Sequence, residues 1–201
     1  MGTQVQILPP APFVICGFMG TEYETQVLDI NVEEIVKQLR QLSAKETPEI
    51  IQKRWVFDIK CLGHENPGMG EWIRLRQSGN ETTITYKNKR GIGLDETEEL
   101  EIMVGDFEES AKILSKLSCF TGKYYQENKR HKFLLDGIVF TLDTWPMIPT
   151  FLEIEAKNKE DIEKGLDLLG LKGKESGHLG LINIYKKYGI DLHSHKEIKF
   201  E

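Results

Sequence analysis

The residues with the clearest chemical potential alternate along short apolar stretches. In F-L-E-I-E, residues 151–155, an extended backbone sends Glu153 and Glu155 to one side and Leu152 and Ile154 to the other. Two carboxylates on one face repel each other, and lose hydration if covered, unless a cation sits between them. A hard divalent ion such as Mg2+ takes oxygen ligands of this kind. Asp143 stands just before them in T-L-D-T-W-P. Near the start, E-Y-E-T-Q repeats the pattern with Glu22 and Glu24, and E-E-L-E adds Glu99 and Glu101. One such pair is most often a solvated strand face. Pairs at both ends of the chain point to a common site.

Basic residues follow the same alternation in the middle of the chain. W-I-R-L-R-Q puts Arg74 and Arg76 on one face, and T-T-I-T-Y-K aligns Thr83, Thr85 and Lys87. Arg54, Arg130 and Lys132 can join them. Arginine forks grip phosphate oxygens in pairs, and lysine acts as a point charge. Strands alternating apolar with acid, and others alternating apolar with base, imply one closed or cupped sheet. Its inner face is charged, with acids toward one side and bases toward the other. Such an interior suits a polyanion held through metal ions. The histidines (His64, His131, His178, His193 and His195) show no ligand spacing, and neither a Ser/His/Asp arrangement nor a G-x-x-x-x-G-K-S/T loop is present. Nucleophilic catalysis is a poor fit.

These residues need elements to hold them. The 201 residues are 39% hydrophobic and 29% charged, with a formal net charge of −6, an ordinary soluble composition. The acidic balance argues against a nucleic-acid partner, and no apolar run is long enough to span a bilayer. Cys16, Cys61 and Cys119 are odd in number and lack metal spacing, which fits a reducing, cytoplasmic setting. Residues 1–18 contain G-T-Q-V-Q-I-L-P-P-A-P, which resembles the translated end of a transfer-RNA gene. The expectation is a domain over residues 19–201, preceded by a non-native or disordered extension.

Strands are expected over Thr21–Ile30, Arg54–Ile59, Glu71–Gln77, Thr82–Lys87, Glu98–Val104, Tyr124–Leu135, Ile138–Thr144 and Thr150–Ala156. Cys61–Gly70 and the basic stretch Asn88–Asp95 read as loops. Helices are expected behind the N-caps Asn31, Asp106 and Asn158, with a last short one over Gly180–Tyr188. Thr47-Pro48-Glu49 reads as a further turn or short helix. The fold class is α+β: an eight-stranded antiparallel β-barrel with helices packed outside.

From residue 19 to about 188, the ordered set E-Y-E-T-Q, W-I-R-L-R-Q, T-I-T-Y-K, E-E-L-E-I-M-V, N-K-R, T-L-D-T-W-P and F-L-E-I-E-A resembles the CYTH superfamily, the triphosphate tunnel metalloenzymes. The resemblance implies a β-tunnel that binds a triphosphate through basic residues and Mg2+ or Mn2+ through acidic ones. Activities similar to class IV adenylyl cyclases, thiamine triphosphatases and inorganic triphosphatases follow. It implies Glu22, Glu24, Asp143, Glu153 and Glu155 as metal ligands, with Glu101 as a further acid. Arg54, Arg74, Arg76, Lys87, Arg130 and Lys132 would bind the substrate. Glu22, Glu24, Gln26, Arg74, Arg76 and Lys87 are the catalytic set. Gln26 departs from the family, whose E-x-E-x-K signature has lysine there. The expectation is a metal-dependent hydrolase of a triphosphate, monomeric or homodimeric. A cyclase making cyclic AMP, or a triphosphate binder without turnover, are the alternatives.

Overall fold

The computed structural model describes residues 23–61, 70–89, 97–177 and 179–201. Glu22, residues 1–18, His64, His178 and most of the two expected loops lie outside them. Among the described residues, ten strands form one sheet: β1 (Tyr23–Val27), β2 (Lys45–Glu46), β3 (Ile50–Cys61), β4 (Gly70–Ser78), β5 (Glu81–Lys89), β6 (Thr97–Val104), β7 (Gly122–Leu135), β8 (Ile138–Thr144), β9 (Phe151–Ala156) and β10 (Glu197–Ile198). The helices are α1 (Val32–Gln41), α2 (Phe107–Ser115), α3 (Lys159–Leu168) and α4 (Leu181–Lys187). Eight strands run in the order β1-β9-β8-β7-β3-β4-β5-β6, every neighbour antiparallel.

The period-two patterning decides which face is which. Leu152, Ile154 and Ala156 of β9 and Ile138, Phe140 and Leu142 of β8 bury against Ile35 and Leu39 of α1 and Ile162 and Leu166 of α3. Phe57 and Leu75, on β3 and β4, bury against Phe107, Ala111 and Leu114 of α2. These two core clusters therefore lie outside the curl of the sheet, leaving most of the other face to polar side chains. The three N-caps do their work through bonds to the backbone: Asn31 Oδ1 accepts from Glu34 N, Asp106 Oδ1 from Glu109 N, and Asn158 Oδ1 from Asp161 N, at 3.2, 2.8 and 2.8 Å.

Gly165 of α3 sits where the helix meets the sheet. A β-carbon there would lie 3.1 Å from Ile154 Cγ2 and 3.3 Å from both Ile138 Cγ2 and Phe140 Cε1. Gly165→Ala gains about 1 kcal/mol of helix propensity but overpacks at a cost of about 1–3 kcal/mol. A net loss of about 1 kcal/mol, read as a lower denaturation midpoint, is expected.

The expected antiparallel, barrel-like sheet with accompanying helices is present, and three details differ. The barrel is not closed: among the described residues, β1 and β6 are not hydrogen-bonded to each other. The outer edge of β1 is taken instead by the chain after α3, because Gln26 N donates to Gly177 O at 3.1 Å and Ser176 N donates to Gln26 O at 2.7 Å. Thr47-Pro48-Glu49 is not helical, because β2 pairs with β7 and Thr47 N continues that pairing by donating to Lys132 O at 3.0 Å. Finally, not every helix packs outside. Phe151 shares the face of Glu153, yet it buries with Trp145 and with Ile184 and Tyr185 of α4, so α4 stoppers one end of the inner face. Among the described residues, no helix is long and apolar enough to cross a membrane.

Candidate active site

The pairing of β1 with β9 sets Glu24 opposite Glu155 and Gln26 opposite Glu153. The Glu24, Glu153 and Glu155 carboxylates and the Gln26 amide therefore share the polar face of the sheet. Glu24, Glu153 and Glu155 each bring one carboxylate oxygen within 4.8 Å of the others. Burial, and then the neighbouring Glu153 carboxylate, push Glu155 up to about 7. Glu153 is held low: burial opposes its charge, but Arg130 beside it and hydrogen bonds from Glu155 and from Gln26 Nε2, the latter at 3.2 Å, together outweigh that. One strand further, Asp143 accepts from Asn128 Nδ2 at 2.9 Å and from Arg130 Nη2 at 2.8 Å, while burial pushes its pKa up.

The opposite wall is basic. The registers of β3, β4 and β5 put Arg54 opposite Arg76, and Arg74 and Arg76 opposite Thr85 and Thr83. Three guanidiniums thus share one patch of sheet. Burial, then Arg74 and Arg76, drop Arg54 to about 9. Burial, then Arg76, drops Arg74 to about 10. Arg54 and Arg74 stay charged at neutral pH, so the patch stores repulsion that an anion would relieve. Arg54 Nε, Arg74 Nε, Arg130 Nε and the hydroxyls of Thr83 and Thr141 are buried with no hydrogen-bond partner among the described residues. Unsatisfied donors of this kind on a polar face are groups a bound oxyanion can use.

The structure sorts the sequence candidates into three groups. Glu24, Glu153 and Glu155 come together. Arg54, Arg74, Arg76 and Lys87 come together, with Glu99 and Glu101 of β6 beside them: Lys87 Nζ lies 2.9 Å from Glu99 Oε2, and Arg74 Nη2 lies 3.6 Å from Glu101 Oε2. Glu101 therefore sits among the bases and not with the three clustered acids, because β6 lies at the far end of the strand order. Arg130 stands between the walls, bonded to Asp143 and Glu153. Burial opposes its charge, but these carboxylates outweigh that and raise its pKa. Lys132 lies on the same face as Arg130, opposite Thr141.

Sequence reasoning missed Asn128, Gln52 and Trp145. Arg54 Nη2 bonds to Asn128 Oδ1 and, at 3.0 Å, to Gln52 Oε1, and its guanidinium stacks 4.6 Å above the Trp145 ring. Asn128 was findable, since it precedes Arg130 by one alternation; Trp145 follows the end of β8 and carried no such signal.

The model of the CYTH domain matches residues 64–177, more than half of the chain. The chain belongs to the CYTH family. No curated protein matches it. Among solved structures it is similar to the PH1012 protein of Pyrococcus horikoshii, with 24% identity over 79% of this chain and 96% of that one, at a TM-score of 0.61. A candidate adenylate cyclase of Vibrio parahaemolyticus shares 14% identity over 83% and 98%, at a TM-score of 0.58. A candidate adenylyl cyclase of Hippeastrum, whose dominant activity is triphosphatase, shares 15% identity over 87% and 98%, at a TM-score of 0.52. At these identities the structures speak for the CYTH fold alone.

Proposed function

We propose that this CYTH protein is a metal-dependent hydrolase of a triphosphate. The observation that carries this reading is the polarised hollow: three partly buried arginines crowded together, facing a wall where three carboxylates converge. The orphaned Nε atoms and hydroxyls on the same face fit oxygen-rich phosphate. Glu24, Glu153 and Glu155 have the hard oxygen donors and the mutual repulsion that suit Mg2+ or Mn2+. Asp143 and the undescribed Glu22 complete the proposed acid set. Such an ion, when bound, supplies charge neutralisation and polarises a phosphoryl oxygen.

The chain's own groups do the rest. Arg54, Arg74 and Arg76 hold the polyphosphate, helped by Lys87 and Lys132. Arg130 ties the acidic wall to the basic one and fixes the Asp143 and Glu153 carboxylates. The α4 stopper closes one end of the hollow, which limits the poses an elongated anion can take. Catalysis in this scheme is positional and electrostatic, with no covalent intermediate. The Hippeastrum protein, with its dominant triphosphatase activity, is an instance of hydrolysis in this fold.

The deciding assay offers tripolyphosphate, thiamine triphosphate and ATP with Mg2+ or Mn2+ to the purified protein. Orthophosphate release is expected. Cyclic AMP with pyrophosphate from ATP would assign a cyclase instead. Tight binding without turnover across the metal series would support the binder reading.

A further inference from the structure

Gln26 stands where the family signature has lysine, and a lost charge would be the simple account of it. The geometry is different. Gln26 is only 3% exposed. Its Nε2 donates to Glu153 Oε2 at 3.2 Å, and its Oε1 accepts from the backbone N–H of Leu179 at 2.9 Å. Its own N–H and C=O are bonded to Gly177 and Ser176. Leu179 in turn packs onto the cluster of Ile184, Tyr185 and Trp145, and Trp145 carries the Arg54 guanidinium.

We infer that Gln26 is a two-ended latch: one end of its side-chain amide orients the Glu153 carboxylate, and the other holds the C-terminal segment, with its α4 stopper, along the edge of β1. A carboxamide does both at once, and neither lysine nor ionised glutamate does. Lysine has three donors and no acceptor, so it would leave the Leu179 amide unmet. Ionised glutamate accepts but cannot donate to Glu153. Leaving this part-buried amide unpaired is destabilising. Gln26 is therefore a positioning residue fitted to this chain's C-terminal segment, not a degraded lysine. The link to Glu153 matters for activity only if the acidic wall is the metal site proposed above; the link to Leu179 stands without it.

Amide hydrogen exchange at Leu179 tests the latch directly. In metal-free Gln26→Lys, that amide is expected to exchange at least tenfold faster than in the wild type. In Gln26→Glu, which keeps an acceptor, exchange is expected within about threefold of wild type. If Gln26→Lys does not fold, Gln26→Met removes both ends without adding a charge and carries the same expectation. A Mn2+ titration of Gln26→Lys is expected to show binding weakened at least tenfold, with no gain in tripolyphosphate turnover. Unchanged Leu179 exchange in Gln26→Lys overturns the inference. So does equal acceleration in Gln26→Glu and Gln26→Lys, which marks a residue that merely fills space. Raised turnover in Gln26→Lys also overturns it. A wild-type protein that neither binds Mn2+ nor hydrolyses tripolyphosphate, with Leu179 exchange in the stated order, sinks the proposed function and supports the latch.

Discussion

Glu155→Gln is expected to abolish metal-dependent triphosphate hydrolysis while making the metal-free protein more stable at pH 8. Both effects come from the same crowding. Glu24, Glu153 and Glu155 converge within 4.8 Å, and burial and Glu153 push Glu155 up to about 7. Removing one ligand should forfeit several kcal/mol of charge stabilisation, about 10^2- to 10^4-fold in kcat/KM. The stability effect has the opposite sign. A carboxyl with a raised folded pKa binds more protons in the native than in the unfolded state between its ordinary value and about 7. Its contribution is favourable at low pH and is lost as pH rises through that window. At pH 8 the wild type holds two adjacent charges, and the amide relieves one of them. The lowered pKa of Glu153 cancels part of the gain, so a rise of a few degrees in Tm at pH 8, and little change at pH 5, is the expected thermal-melt result. A Glu155→Gln protein that keeps full turnover would remove Glu155 from the site.

The alternation of charge with apolar side chains made most of this site legible. It fixes a face, and the faces of β1, β9, β4 and β5 emerge as read. What alternation does not fix is which strand lies beside which. Glu101 has the right face to join the acids, but β6 follows β5 at the end of the order β1-β9-β8-β7-β3-β4-β5-β6, and so Glu101 meets Arg74 and Arg76. The helices were readable because their caps are local: Asn31, Asp106 and Asn158 each bond three residues ahead. Gln26 was opaque for the converse reason. Its bonds go to Glu153 and Leu179, 127 and 153 residues away, and no local pattern marks such a residue as a latch. The α4 helix hid its role similarly, since an apolar stripe shows that a helix is buried but not against which face of a sheet.

Tripolyphosphate is expected to stabilise the wild-type protein strongly, and Arg76→Ala to lose most of that effect without weakening the free protein. In the absence of an anion, Arg76 is a source of strain: it faces Arg54 across the strand pair and lowers the pKa of both Arg54 and Arg74. Its only ion-pair partner among the described residues is Glu101, at 3.9 Å. Such a distant pair returns little. Removing Arg76 therefore should leave Tm unchanged or slightly raised. With ligand the balance reverses. At about 100 times Kd a bound anion adds about 2.7 kcal/mol to unfolding, a Tm increase of roughly 5–10 °C for a domain of this size. Hydrogen bonds to a charged group are worth about 1.5–3 kcal/mol, so Arg76→Ala is expected to weaken tripolyphosphate binding by about 10- to 100-fold. The ligand-induced shift should also fall as ionic strength rises from 0.05 to 0.5 M, because part of the attraction is screened. A wild-type Tm that does not respond to tripolyphosphate at low salt would mean that the crowded arginines serve some end other than gripping phosphate. An Arg76→Ala protein with an undiminished shift would place the grip elsewhere in the hollow.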